Sequence, residues 1–317
     1  MPDFARPTIF LSKCFAGAAC RWNGEVSESA VAARLLPFVN VIEVCPEMEI
    51  GLGVPRPPVR VVEWRGQRRL WQPETNRDLT ESMRACAADA LAHLPPVDGF
   101  LFKARSPSCG LTDVKLYRGK KSQNPIGKTA GLFAGEAVAR FPLLPAEDED
   151  RLTSFAVRER FLTRLFTLAD FRRARRLRTA RALVDFQARH KLLLMACRQT
   201  TAKQLGAIVA NAARRLLDET TANYQTMLLA TLAQAIKPGP TINVLEHAFG
   251  YFKKALTAQE KRGFLALLDR FRARRIPLAA VNAVLVSWID RDDVAYLQQQ
   301  SFFAPYPPAL AEFGPAA

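Results

Sequence analysis

The chain has 317 residues, of which 49% are hydrophobic and 24% charged, so it has the composition of a globular protein rather than a disordered one, and its length favours two domains. Its net charge of +15 is uneven, because residues 1–150 contain 19 Lys and Arg against 18 Asp and Glu, whereas residues 151–317 carry +14. This asymmetry indicates an anionic partner for the second half, RNA or DNA rather than a membrane.

The amino terminus, MPDFARPTIFLSKC, predicts a first buried strand rather than a secretion signal. Its apolar stretch is short, and Lys13 stands directly before Cys14, where a lipoprotein signal carries small residues. No apolar run in the chain approaches the ~18 residues that cross a bilayer. We therefore expect a cytoplasmic protein with no membrane partner.

In the first half, short apolar runs alternate with segments of helical periodicity. Strands are predicted at TIFLS, VNVIEV and GFLFKA, and helices at SESAVAARLL, capped by Ser27 or Ser29, and at DLTESMRACAADALAHL. This alternation predicts βαβ units, and hence an α/β, Rossmann-like domain with a mainly parallel sheet. Ligands of such sheets bind beyond the carboxyl ends of the strands.

Three of the six cysteines, Cys14, Cys45 and Cys109, follow the ends of predicted strands. Right-handed crossovers place these strand ends at one edge of the sheet, so we expect the three thiols to converge. The cysteines are too sparse for a secreted disulfide framework, and the absence of a CxxC pair disfavours a zinc ribbon. Cys86 and Cys197 fall in predicted helices and are interpreted as ordinary buried thiols.

The chain changes character near residue 147. The acidic run from Glu147 to Asp150 is interpreted as a linker or as the cap of the next helix. Every later segment has helical periodicity, including a stretch at 202–236, and no repeat of fixed period is present. The sequence therefore predicts domains at 1–147 and 148–317, of which the second is all-α.

Basic residues cluster along the predicted helices of the second half. Candidate RNA-binding residues are Arg172, Arg175, Arg176, Arg178, Arg181, Arg189, Lys191, Lys253 and Lys254. Such clusters are typical of contacts to the phosphate backbone, which provide affinity without reading sequence. The alternative is a solvated basic surface with no specific partner.

The motifs of the first half, in order, resemble the TudS family of thiouracil desulfurases. They are SKCFAGAACRWNG, VCPEMEIGLGVPRPPVRVV, ARSPSCG and GLFAGEAVARFPLLP, and they cover roughly residues 8–145. The second half, from FLTRLFTLADF to FFAPYPPAL, resembles the YbgA-type helical domain through RHKLLLMA, NVLEHAFGYFKK and IPL. The pairing of both domains is similar to RudS-type desulfidases of 4-thiouridine in transfer RNA.

The resemblance implies a 4Fe–4S cluster as the cofactor. Cys14, Cys45 and Cys109 match the three cysteines that hold the cluster in the family and leave one iron without a protein ligand. Cys20 matches a further cysteine that we do not expect to be a ligand. Lys13 departs from the small or apolar residues that many relatives carry at this place.

The implied reaction is the hydrolytic removal of sulfur from 4-thiouridine in transfer RNA, which yields uridine and sulfide. Thiocarbonyl sulfur is soft and iron is thiophilic, so the open iron is expected to act as a Lewis acid. Glu47 matches the catalytic glutamate and is interpreted as the base that activates water, with Ser106 assisting through a hydrogen bond or proton relay. A cap or salt bridge remains the alternative for Glu47, and a turn role the alternative for Ser106.

Three rival functions use the same residues. The first is desulfuration of free thiouracil, against which the extra basic domain argues. The second is a non-catalytic iron–sulfur sensor that binds RNA, which the presence of Glu47 and Ser106 disfavours. The third is a metal-free thiolate nucleophile at Cys45 or Cys109. The sequence leaves the oligomeric state open.

Overall fold

A computed structural model of the protein describes residues 3–212 and 216–311, which divide into two compact units. The α/β unit consists of Arg6–Ala169 with the last described residues from Ala309 onward. The helical unit consists of Asp170–Pro308 with the first described residues up to Ala5. The predicted fold class, an α/β domain followed by an all-α domain, is confirmed. The domain boundary at residues 147 and 148 stays a prediction.

The predicted parallel sheet is present in the α/β unit. Its four strands, in the order β2-β1-β6-β9, are β1 (Thr8–Ser12), β2 (Asn40–Val44), β6 (Gly99–Phe102) and β9 (Ala146–Asp148). Every pairing is parallel, with Ile9 opposite both Val41 and Gly99, and Phe100 opposite Ala146. All four residues of β6 are buried, as expected for a parallel strand that is covered on both faces.

Short helices surround this sheet. They are α1 (Ala30–Leu35), α2 (Pro46–Glu49), α3 (Thr80–Ala92) and α4 (Leu132–Arg140), with 3-10 helices at Lys13–Phe15, Leu36–Phe38 and Arg151–Thr153. Ser29, one of the two predicted caps, accepts a hydrogen bond from the Ala32 N–H at 3.2 Å. Phe10 packs against Phe100 and Phe133, with ring centroids 5.7 and 5.4 Å away, so the sheet and α4 share one core.

The sequence did not predict the second sheet. Its strands, in the order β5-β4-β3-β7-β8, are β3 (Arg60–Trp64), β4 (Gln67–Gln72), β5 (Arg77–Asp78), β7 (Val114–Arg118) and β8 (Pro125–Thr129). Only the β3–β7 pair is parallel. Arg65 and Gly66, with φ of 51° and 73°, form the turn between β3 and β4. Segments such as QRRLWQ lack clean apolar alternation, so this Arg-Gly pair was the available signal.

The acidic run interpreted as a linker or cap forms instead the edge strand β9 and the residues after it. Asp148 and Glu149 are buried, at 1% and 8% exposure. Asp148 accepts the N–H of Arg151 at 2.8 Å, and burial raises the pKa of the Asp148 carboxyl. The pattern misled because charged residues are uncommon in buried strands, whereas these carboxylates have hydrogen-bond partners.

The helical unit begins within α5 (Phe155–Arg176). Its further helices are α6 (Ala180–Cys197), α7 (Gln199–Ala210), α8 (Leu217–Ala233), α9 (Pro238–Gly250), α10 (Ala258–Arg272), α11 (Leu278–Arg291) and α12 (Ala295–Gln298). The helical stretch predicted at 202–236 contains parts of α7 and α8, and residues 213–215 between them lie outside the described residues. Phe249, Phe264 and Trp288 pack in the core. Within the described ranges, no helix has both the length and the hydropathy of a membrane span.

A buried carboxylate, Asp170, joins two helices of this unit. It accepts hydrogen bonds from Arg173 at 2.7 Å, from Arg189 at 2.7 Å and from His190 Nε2 at 2.9 Å, and His190 Nδ1 lies 2.7 Å from the Ser301 hydroxyl. Burial opposes ionisation of Asp170, but the His190 hydrogen bond and the guanidinium groups outweigh it and lower the pKa of Asp170. Burial lowers the pKa of His190, so we assign a neutral imidazole.

Candidate functional site

The three predicted ligands lie beyond the carboxyl ends of three adjacent parallel strands. Cys14 is in the 3-10 helix after β1, Cys45 directly follows β2, and Cys109 is in the loop after β6. All three line one cavity of about 440 Å³, together with Cys20 and Glu47. The crossover argument from the sequence therefore describes how residues remote in the chain reach one cavity.

The loop that carries Cys109 is fixed by Ser106. The Ser106 Oγ accepts the N–H of Ser108 at 3.3 Å and the N–H of Cys109 at 3.1 Å, and its carbonyl accepts the N–H of Gly110 at 2.7 Å. This is the turn role that the sequence left open. Neither bond to Oγ uses the hydroxyl proton, so Ser106, which lines the cavity, keeps a donor for a bound molecule.

Helix α4 supports the same loop from behind. The Leu132 N–H donates to the Pro107 carbonyl at 3.1 Å, and the Ala134 N–H donates to the Ser108 carbonyl at 3.0 Å. The first N–H groups of a helix have no partner within the helix, so the loop carbonyls satisfy them. Gly131 stands at this contact, where a Cβ atom would come within 2.6 Å of the Ser108 carbonyl.

Glu47 is buried in an ion pair. Arg56 reaches its Oε2 through Nε at 2.9 Å and Nη2 at 2.7 Å, and the Ser108 hydroxyl donates to its Oε1 at 2.8 Å. The salt bridge that the sequence left open for Glu47 is therefore present. A carboxylate offers about four acceptor positions, and these three bonds leave one for a further donor such as water.

Sequence reasoning missed Arg56 and Ser108 as site residues, although both lie inside quoted motifs, PRPP and SPSCG. Arg56 also donates to the carbonyls of Gly53 at 2.8 Å and Cys20 at 3.0 Å, and its N–H donates to the Trp22 carbonyl at 2.8 Å. It is only 6% exposed. A buried arginine with several acceptors fixes the segments on which those acceptors lie.

The thiols of the cavity raise one another's pKa. Burial, followed by the charge of Cys45, raises the pKa of Cys14 to about 11 and that of Cys20 to about 12. Burial also raises the pKa of Cys109 well above its ordinary value. The Cys45 Sγ lies 3.7 Å from the Cys20 carbonyl, to which it donates. Several thiolates in one cavity require a cationic group among them, which is what a bound metal cluster provides.

The cavity suits a cluster better than a single ion. Within residues 3–212 and 216–311, no three His, Cys, Asp or Glu side chains converge on one position for a metal ion. A multinuclear iron–sulfur cluster takes its thiolates on different irons, so its cysteines surround a volume instead of meeting at a point. Cys14, Cys45 and Cys109 around one cavity have the donor chemistry for such a group.

The structure places the basic candidates of the helical unit in several groups. Arg175, Arg176, Arg178 and Arg181 are exposed around the connection between α5 and α6, where Arg178 lies 3.1 Å from Asp218 and Arg181 lies 2.9 Å from Asp185. Arg172 is half-buried on α5, Arg189 is bound to Asp170, Lys191 is exposed on α6, and Lys253 and Lys254 are exposed after α9. Their role in RNA binding stays a prediction.

Comparisons with known proteins match the two halves separately. The family model described as 2-thiouracil desulfurase matches residues 9–149, and the model described as protein of unknown function DUF1722 matches residues 191–307. The structure of the [4Fe–4S]-dependent thiouracil desulfidase TudS is 26% identical, covers 47% of this chain and 94% of that chain, and gives a TM-score of 0.35.

Two curated proteins are similar to parts of the chain. The uncharacterized protein YbgA of Escherichia coli is 29% identical over 148 residues, which are 46% of this chain and 88% of YbgA. The uncharacterized protein YbbK of Bacillus subtilis is 30% identical over 135 residues, which are 39% of this chain and 88% of YbbK. The chain therefore belongs to the 2-thiouracil desulfurase family, and a YbgA-like DUF1722 segment follows the family's domain.

Proposed function

We propose that the protein is an iron–sulfur-dependent desulfidase that removes sulfur from 4-thiouridine in transfer RNA. One observation carries the proposal. In a chain of the 2-thiouracil desulfurase family, Cys14, Cys45 and Cys109 line one cavity with a buried carboxylate, Glu47. The products are uridine and sulfide.

The proposed cofactor is a 4Fe–4S cluster held by these three cysteines. When bound, it supplies a thiophilic Lewis acid for the sulfur of the thiocarbonyl group. Cys20 lines the same cavity but is assigned no ligand role, because its carbonyl already accepts bonds from Arg56 and Cys45 that fix its loop.

Glu47 orients and deprotonates the attacking water in this proposal. Arg56 and Ser108 hold the carboxylate in one orientation, and the remaining acceptor position of Glu47 takes a proton from water. Ser106 donates its hydroxyl proton to the pyrimidine. One carbon–sulfur bond breaks and one carbon–oxygen bond forms, so the base undergoes no net oxidation or reduction.

The charge of the helical unit supports RNA as the substrate. Residues 151–317 carry a net charge of +14, and the four exposed arginines around the α5–α6 connection form a basic patch (Arg175, Arg176, Arg178 and Arg181). A stacked nucleotide is out of reach of a buried cavity, so the enzyme must extrude it or bind an opened strand. Contacts to phosphate provide the affinity for this step.

The cofactor and the base are tested by analysing iron, sulfide and turnover after anaerobic reconstitution. Cys45→Ser is expected to lose iron and turnover together. Glu47→Gln is expected to keep iron and to lose turnover of thiolated transfer RNA by roughly 10²-fold or more. Cys86→Ser, in α3, is the control and should retain both properties. Full turnover by iron-free protein would refute the proposal.

Free 2-thiouracil is the second candidate substrate, because it is named in the description of the matching family. The two candidates differ in their dependence on the basic patch. Replacing its four arginines with glutamine should weaken transfer RNA binding and reduce its salt dependence, while turnover of free 2- and 4-thiouracil stays unchanged. The matched control replaces four exposed arginines elsewhere in the helical unit: Arg262, Arg270, Arg274 and Arg275. Higher kcat/KM for the free base than for transfer RNA would favour the second candidate.

A further inference from the structure

Trp22 presents an exposed indole at the cavity that holds the candidate ligands. Its side chain lines this cavity with Cys14 and Glu47, yet the residue is 47% exposed. Single exposed aromatic residues are common on protein surfaces. Trp22 differs from these in its position, because its ring lies between solvent and a cavity built for a planar heterocycle.

The backbone of Trp22 is held in place on both sides. The Gly24 N–H donates to the Arg21 carbonyl at 3.0 Å, which closes a turn around Trp22, and the Arg56 N–H donates to the Trp22 carbonyl at 2.8 Å. Gly24 has a φ of +81°, which fits the turn. A ring on a fixed turn loses little conformational freedom when a ligand stacks on it.

Cations surround the same cavity. Arg21, Lys103 and Arg105 are paired with Glu25, Glu149 and Asp150, respectively. Lys13 also lines the cavity and is exposed, but it has no carboxylate partner among the described ranges 3–212 and 216–311. An exposed ammonium group without a counter-charge is available to an anionic group of a ligand.

We propose that the mouth of this cavity is a binding subsite for a pyrimidine nucleotide, in which Trp22 stacks on the reacting base and Lys13 contacts its phosphate. The inference rests on the proposed function for the identity of the base and goes beyond it in one respect. The α/β unit itself distinguishes a nucleotide from a free base, because uracil and thiouracil have no phosphate for Lys13. Stacking on Trp22 is common to both.

Binding of unmodified ligands tests the subsite without turnover. Isothermal titration of the cluster-loaded chain with uridine 5′-monophosphate, uridine and uracil should show the tightest binding for the monophosphate. Trp22→Ala should weaken all three ligands by roughly 10-fold, with partial recovery in Trp22→Phe. Lys13→Gln should reduce the affinity for uridine 5′-monophosphate to that for uridine and leave uracil binding unchanged. Iron content is measured in each variant, because Lys13 adjoins Cys14.

Trp64→Ala and Lys128→Gln are the controls, since Trp64 is 38% exposed and Lys128 is exposed in β8. Neither should change any of the affinities. A uridine-containing trinucleotide distinguishes RNA from free nucleotide as the natural source, according to which binds more tightly through Lys13. Nucleotide binding that survives both cavity substitutions, or no nucleotide binding by the wild type, overturns the inference. Nucleotide binding through Trp22 without any desulfuration overturns the proposed reaction and supports the subsite.

Discussion

Arg56 and Glu47 form a buried ion pair whose arginine also binds the carbonyls of Gly53 and Cys20. Removing Arg56 leaves a buried carboxylate without its counter-charge, so we expect Arg56→Ala to lower the free energy of unfolding by about 3–5 kcal/mol. Arg56→Lys keeps the charge but loses the planar fork, and its effect should be smaller. Urea unfolding followed by tryptophan fluorescence measures this change.

Tryptophan fluorescence is a suitable probe because Trp22, Trp64 and Trp71 lie in the α/β unit and Trp288 is the remaining one of four. Arg69→Ala is the control for Arg56→Ala. Arg69 pairs with Asp78 at 2.8 Å, but both side chains are about one-third exposed, so its loss should cost about 0–1 kcal/mol. Equal effects of the two substitutions would contradict the structural role assigned to Arg56.

At the scale of elements, α4 holds the loop that presents Cys109. Gly131→Ala would place a methyl group 2.6 Å from the Ser108 backbone, which cannot move without displacing the Cys109 loop. We expect a loss of about 1–3 kcal/mol of stability, together with reduced iron content after reconstitution. Unfolding midpoints and iron analysis measure both effects.

Gly127→Ala provides the matched control in β8. A Cβ at Gly127 meets no atom within 4 Å, so this variant should bind iron like the wild type. Normal iron content in Gly131→Ala would show that the contact between α4 and the loop does not control the candidate site.

The elements that carry the cysteines were predictable, and those that complete the site were not. TIFLS, VNVIEV and GFLFKA are apolar and β-branched or aromatic because they are central strands of a parallel sheet, and β1, β2 and β6 lie at those places. The second sheet escaped prediction because its strands carry charges and pair partly as hairpins. Their polar sequence lacks the periodicity on which the prediction depends.

At the scale of the whole molecule, strand order determines which remote residues meet. Adjacent strands β2, β1 and β6 bring residues 14, 45 and 109 to one cavity, and alternation of strands and helices was sufficient to expect this. The contacts of Glu47 with Arg56 and Ser108 were not predictable in this way. They depend on side-chain directions in loops, and a pattern of residue types along the chain does not specify those directions.

The Asp170 network makes the stability of the helical unit depend on pH. His190 is neutral and buried in the folded chain, with Asp170, Arg173, Arg189 and Ser301 as neighbours, and its pKa is lowered from 6.5. The unfolded chain therefore binds more protons below about pH 6.5, and stability falls as the pH drops through this range. Asp170, whose pKa is also lowered, adds a loss only at more acidic pH, below its ordinary value of 3.8.

Urea unfolding between pH 7.5 and 5 isolates the His190 contribution, read from Trp288 in a chain whose other three tryptophans are phenylalanine. The free energy of unfolding should fall with a slope of up to about 1.4 kcal/mol per pH unit below pH 6.5. His190→Gln removes the titrating group and should flatten this slope, even if it lowers stability at every pH. His247→Gln changes an exposed histidine and should keep the wild-type slope. A slope that persists in His190→Gln would mean that another group titrates on unfolding, and that His190 is charged in the folded chain.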